Sequence, residues 1–76
     1  MEVKMHVTSW FYRYTNGEKD ISIAVNEGTN LLTALDLAGI PADEVGFVII
    51  DDKIRDLRSI VNENETVNVF QPIIGG

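Results

Sequence analysis

The sequence predicts a single α+β domain in which a mixed sheet of four to five strands packs on one helix. Three observations carry that expectation. Apolar and polar residues alternate with period two near both ends of the chain, the mark of half-buried strands. An Asn16-Gly17 pair follows the first such segment and supplies the positive backbone angles of a tight reversal. Between the strand-like halves lies one segment of helical period, capped at its start by Thr29 or Asn30 and stopped by Gly39.

In chain order, Val3, Met5 and Val7 alternate with Lys4, His6 and Thr8 and define the first strand. The run Trp10-Phe11-Tyr12-Arg13-Tyr14 keeps high strand propensity and is expected to extend it up to the turn Thr15-Asn16-Gly17-Glu18. Ile21, Ile23 and Val25 form a second strand, antiparallel to the first, which Asn26-Glu27-Gly28 ends. Leu31, Leu32, Leu35 and Ala38 then share one helical face, and Gly39, Ile40 and Pro41 match a left-handed cap with a proline shortly beyond. Ala42-Asp43-Glu44 reads as loop, and the β-branched run Val45-Gly46-Phe47-Val48-Ile49-Ile50 reads as a buried strand.

Asp51-Asp52-Lys53 turns the chain into a short extended or irregular segment with Ile54 and Leu57, and Ile60 and Val61 add apolar anchors before the polar turn Asn62-Glu63-Asn64-Glu65. Thr66-Val67-Asn68-Val69-Phe70 alternates again and forms the last strand. A hairpin followed by a crossover helix favours placing that strand parallel beside the first. The result is the wrapped ββαββ layout called β-grasp or ubiquitin-like, with a domain over residues 1–70 and a flexible tail over 71–76.

Composition narrows the functional classes. A chain of 76 residues buries only about 60–65% of its unfolded surface, enough for one core and too little for an elaborate active site. It has no cysteine, which removes disulfides, thiolate metal sites and cysteine nucleophiles. No stretch approaches the length of a spanning helix and no leader is evident at the start, so a cytoplasmic location without membrane contact is expected. The net charge is −6, and the few cations are interleaved with acids. This works against nucleic-acid binding and points to a protein partner with a positive docking surface.

The ending Phe70-Gln71-Pro72-Ile73-Ile74-Gly75-Gly76 is unusual, since chain ends are commonly polar and here two isoleucines follow a proline. In one reading Ile73 and Ile74 pack back on their own sheet and the glycines are slack. In the other, two residues without Cβ enter a channel too narrow for any side chain and present the Gly76 carboxylate to a partner. A carboxylate is a poor electrophile, so that partner must activate it with ATP as an acyl-adenylate, and this chain is then the carried substrate.

The order of elements, the polar turn at Asn62-Glu63-Asn64-Glu65 and the F-x-P-x-x-G-G ending resemble the ThiS/MoaD family of sulfur-carrier proteins over essentially the whole chain. The resemblance implies a non-catalytic protein co-substrate without a cofactor of its own. The resemblance implies that its terminal Gly76 is adenylated by an enzyme similar to ubiquitin-activating enzymes and converted to a thiocarboxylate. The resemblance further implies that Gly75 gives clearance and that Phe70, Pro72, Ile73 and Ile74 form the docking segment. The proline-marked tail looks most like the small subunits of molybdopterin synthase, whose large subunit accepts the sulfur. Gln71 stands where that pattern often has a second proline, Asp51-Asp52 where Asn-Gly is common, and much of the middle segment is missing. A thiazole-pathway or other sulfur carrier, a ubiquitin-like modifier and a non-carrier β-grasp binding module are the alternatives. The last of these predicts that a blocked C-terminus is tolerated.

Other candidates read as structural. His6 falls on a solvent-facing parity without catalytic company, and the pairs Asp43-Glu44 and Asp51-Asp52 read as solvated turns. Nucleotide-binding glycine loops and a nucleophile elbow are absent from the sequence. Trp10, Tyr12 and Tyr14 share one parity on an extended first strand, either as core and cross-strand packing or as part of a partner-docking sheet face with Phe70.

Overall fold

The computed structural model describes residues 1–73. Strand β1 spans Glu2–Val7, β2 Asp20–Ala24, β3 Phe47–Ile50, β4 Lys53–Arg55 and β5 Thr66–Phe70, with one α-helix, α1, at Leu31–Leu37. The sheet order is β2-β1-β5-β3-β4. β1 pairs antiparallel with β2 in the register Val3↔Ile23 and Met5↔Ile21, and parallel with β5 through Met5↔Val67 and Val7↔Val69. The hairpin-then-crossover expectation is met, and the central pair β1-β5 carries both chain ends of the fold.

Alternation decides the two sheet faces. Val3, Met5, Val7, Val48, Ile50, Val67 and Val69 are buried against Leu31, Ala34 and Leu35 of the helix. The intervening residues Lys4, His6, Thr66, Asn68, Phe70, Phe47 and Ile49 therefore occupy the opposite face. The helix starts where the Asn30 side chain accepts the Thr33 amide at 2.8 Å, and it stops before Gly39 at φ 78°. No helix among the described residues is long and apolar enough to cross a membrane.

The aromatic run departs from its expected form. Ser9–Tyr14 is a 3₁₀ helix, so Trp10, Tyr12 and Tyr14 do not form a row on an extended strand. The physical reason is the extent of β2, which begins at Asp20 and pairs no farther along β1 than His6. Beyond Val7 a continuing strand has no neighbour on that side, whereas three residues per turn carries Phe11 fully into the core and Tyr12 and Tyr14 onto its edge. Trp10 is left 43% exposed. The Asn16-Gly17 reversal does form, with φ 56° and 79°, but it closes this helix before β2 begins.

Three smaller differences are local. Ala42–Glu44 is a 3₁₀ turn, closed by the Glu44 and Val45 amides on the Pro41 and Ala42 carbonyls. Lys53–Arg55 is a regular strand because Ile49↔Ile54 and Val48↔Arg55 pair across a two-residue loop. On the helix, Ala34 takes a buried place, while Leu32 is half-buried.

The β3-β4 loop holds Asp51 and Asp52 at φ 52° and 65°, both left-handed, as in the mirror-image turn that favours Asn-Gly. Two adjacent carboxylates in that conformation are locally unfavourable. The double substitution Asp51→Asn with Asp52→Gly is expected to raise stability by roughly 0.5–1 kcal/mol, read as a higher denaturant midpoint at unchanged slope.

Glu65 closes the turn before β5. It accepts the Asn62 amide at 2.8 Å and the Arg55 guanidinium at 3.0 Å. Burial works to raise its pKa, but the Arg55 hydrogen bond and the Asn62 amide outweigh burial and hold it below the ordinary glutamate range. A carboxylate with a depressed folded-state pKa contributes stability above its unfolded value of about 4.3 and loses it as the pH falls through the folded value. In urea titrations, Glu65→Gln is therefore expected to flatten the acid limb of stability below about pH 4.5.

Candidate functional site

The root of the C-terminal tail is built by three elements that meet at one end of the sheet. β1 and β5 are parallel, so their C-terminal ends lie together, and β3 starts beside the end of β5 through Phe47↔Phe70. The Phe47 and Phe70 rings stack with centroids 5.0 Å apart and planes inclined by 13°. The Gly46 amide donates to the Phe70 carbonyl at 2.8 Å, and the Thr8 hydroxyl donates to the Gln71 side-chain carbonyl at 2.7 Å. Phe70 and Gln71 are thereby held from both sides.

Beyond this point the chain leaves the sheet. Pro72 is exposed and Ile73 is 83% exposed, so Ile73 does not pack back on its own sheet. Ile74, Gly75 and Gly76, the rest of the expected docking and reacting segment, lie outside the described residues. Of the anticipated site residues the structure thus joins Phe70 to a fixed root and presents Pro72 and Ile73 outward.

A second apolar feature continues from the root across the outer sheet face. Phe70, Phe47 and Ile49 are half-buried there, and Ile54, paired with Ile49, stands 71% exposed. His6 lies on the same face with Nδ1 2.8 Å from Asp20 Oδ1 across the β1-β2 pair. This face is the one expected to include Phe70, but its other apolar members come from β3 and β4 and not from the aromatic run.

Glu44 is not simply a solvated turn residue. Its carboxylate accepts from the Tyr14 hydroxyl and from the Arg13 guanidinium at 2.6 Å, which ties the two 3₁₀ turns together. The Tyr14 hydrogen bond, with Arg13 behind it, lowers the Glu44 pKa against the effect of desolvation. The same bond raises Tyr14.

Sequence reasoning missed Gly46. Its φ is outside the left-handed region, so the backbone does not require glycine, yet a Cβ there would fall 2.6 Å from Gln71 O and Pro72 Cα. Glycine is present because the tail backbone crosses it in contact. A lone glycine inside the β-branched run 45–50 was the available signal, since such a glycine marks a bulge or a close backbone approach.

No family model matches the chain, and no curated protein matches it significantly by sequence. Solved structures do match. Haloferax volcanii small archaeal modifier protein 1 superposes with TM-score 0.76 at 13% identity, covering 95% of this chain and 98% of that one. A Pyrococcus furiosus protein, provisionally assigned as molybdopterin converting factor subunit 1, gives TM-score 0.74 at 14% identity over 96% and 99% of the two chains. A chain from the Helicobacter pylori complex of molybdopterin-converting factor subunits 1 and 2 gives 0.61 at 18% identity, with both chains fully covered. At these identities the likeness is one of fold, and with the topology above it establishes that this chain has the ubiquitin-like β-grasp fold.

Proposed function

We propose that the chain is a sulfur carrier, a protein co-substrate whose Gly76 carboxylate is activated and then carries sulfur as a thiocarboxylate. The observation that carries this reading is the tail root. Phe70 and Gln71 are fixed to the sheet while Pro72 and Ile73 project into solvent, which is how a segment destined for a partner's active site would be presented. The diglycine end and the fold shared with molybdopterin converting factor subunit 1 support it.

The chemistry belongs to the partners. In an adenylating enzyme the Gly76 carboxylate attacks the α-phosphorus of ATP, pyrophosphate leaves and an acyl-adenylate forms. Hydrosulfide, or a donor that delivers sulfur at that oxidation level, then attacks the acyl carbon; the C–S bond forms, the acyl C–O bond breaks with its oxygen and electron pair leaving on AMP, and a proton is released. In the acceptor enzyme the thiocarboxylate sulfur attacks an electrophilic carbon of that enzyme's substrate and displaces its leaving group, and water then cleaves the resulting thioester, which leaves the sulfur on the substrate and restores the Gly76 carboxylate. The complex of two subunits known for the Helicobacter relative in fold supports a synthase large subunit as that acceptor, and molybdopterin formation as the pathway. Phe70, Pro72, Ile73 and Ile74 dock the segment, and Gly75 and Gly76 pass the narrow part of the channel. Phe47, Ile49 and Ile54 extend the docking surface across the sheet, where a desolvated apolar centre would supply most of the binding energy.

The likeness to a small archaeal modifier protein favours a second reading, in which a lysine amine attacks the same acyl-adenylate, AMP leaves and an amide joins this chain to a target. The test common to both is pyrophosphate release with the candidate activating enzyme, ATP and this protein. Release that requires a free Gly76 carboxylate supports the proposal, and release indifferent to a residue appended after Gly76 contradicts it.

A further inference from the structure

We propose that Gly46 is a positioning residue that sets the direction in which the C-terminal tail leaves the domain, an inference that rests on the carrier reading of that tail. Gly46 is exposed and has an ordinary backbone conformation, so neither core packing nor a left-handed φ explains a glycine there. The explanation is contact. A Cβ at this position would lie 2.6 Å from Gln71 O, 2.6 Å from Pro72 Cα and 2.7 Å from Gln71 C. All three are backbone atoms, which cannot rotate out of the way as a side-chain tip can.

The crossing is held on both sides. On one side the Gly46 amide holds the Phe70 carbonyl at 2.8 Å and the Phe47 ring lies on the Phe70 ring. On the other, Thr8, two residues from the exposed Trp10, holds the Gln71 side chain at 2.7 Å. Immediately after this clamp comes Pro72, whose ring fixes φ. The exit segment Pro72-Ile73 therefore starts from a defined point with a defined heading. A partner that receives it is spared part of the entropy of ordering the tail's root, which is the physical content of preorganisation.

Replacing Gly46 by alanine must push the Gln71 and Pro72 backbone away and strain the bond to Phe70, while leaving the core residues untouched. For the Gly46→Ala protein the melting temperature is expected to fall by several degrees with unfolding still cooperative, because the clash strains the end of the sheet but removes no core side chain. Residual dipolar couplings of the Gln71 and Ile73 amides are expected to change, and the amide at position 46 is expected to exchange faster than in the wild type. In steady-state adenylation by the activating enzyme, kcat/KM is expected to fall on the order of tenfold, with the loss chiefly in KM. Thr8→Val removes the hydroxyl without adding volume and is expected to shift the same couplings and KM in the same direction by a smaller factor.

Unchanged couplings at Gln71 and Ile73 in Gly46→Ala would overturn the proposal, as would changed couplings with wild-type kinetics. Should Gly46→Ala fail to fold, Thr8→Val decides by the same two readings. A wild-type protein that the enzyme does not adenylate would strike the carrier reading and this role together, whereas an active wild type with an equally active Gly46→Ala variant would strike this role alone.

Discussion

Removing Gly75 and Gly76 is expected to abolish adenylation and sulfur transfer while leaving the melting curve of the domain where it was. The reacting carboxylate would then belong to Ile74, whose β-branched side chain cannot enter a channel shaped for residues without Cβ. Among the described residues no core side chain lies beyond Val69 and the contacts that fix the root involve Gln71 and Pro72, and two residues without side chains have little apolar surface to bury, so the fold is expected to keep its stability without them. The check is a pair of measurements on one preparation: thermal unfolding by circular dichroism and pyrophosphate release with the activating enzyme. Unfolding of the truncated protein would mean that the glycines are structural. Full activity would mean that the tail is not the substrate.

The largest effect on stability is expected from Phe11→Ala. Phe11 is fully buried, and it is the one side chain of the Ser9–Tyr14 3₁₀ turn that enters the core, with Tyr12 and Tyr14 on the core edge. Deleting so large a side chain costs about 3–5 kcal/mol in transfer and cavity terms. A domain of 76 residues has a total stability of only about 4–11 kcal/mol, so the variant is expected to lose between about a quarter and all of it. Urea titration at low temperature measures the loss. A loss below about 1 kcal/mol would show that the turn can rearrange to fill the space. Trp10, its partly exposed neighbour, offers the contrast, since truncating it is expected to cost about 1 kcal/mol, clearly less than the change at Phe11.

What could be read in the sequence, and what could not, follows from the range of the interactions concerned. The first and last strands, the cap at Asn30 and the stop at Gly39 rest on local patterns, and the structure has them where those patterns place them. The parallel pairing of β1 with β5 is long-range, yet handedness rules made it the favoured arrangement. The aromatic run was misread because strand propensity in Trp, Phe and Tyr reflects a half-buried pleated neighbour, and beyond Val7 no such neighbour exists on the β2 side. The bonds of Glu44 to Arg13 and Tyr14 join segments some thirty positions apart, which no local spacing announces. Gly46 is the intermediate case. Its oddity inside a β-branched run was visible, but only the fold shows that the chain crossing it is the protein's own tail.

The same division holds for the site. Composition and the diglycine ending pointed to the tail, and the structure adds a root held by Thr8, Gly46 and Phe47 together with an apolar outer face contributed by β3 and β4. The face could not be assigned before pairing was known, because Phe47 and Ile49 occur in a nearly continuous apolar run whose parity is ambiguous until Val48 and Ile50 are seen to be buried.

The carrier reading is tested most directly by intact-mass spectrometry of the protein isolated from its native cells under conditions that preserve thioacids, with fragmentation to locate any change. The account predicts a population in which sulfur replaces an oxygen at Gly76 and which reverts on treatment with the acceptor enzyme. A C-terminus that remains an unmodified carboxylate in cells with an active pathway, together with full cellular activity of a protein extended beyond Gly76, would contradict it.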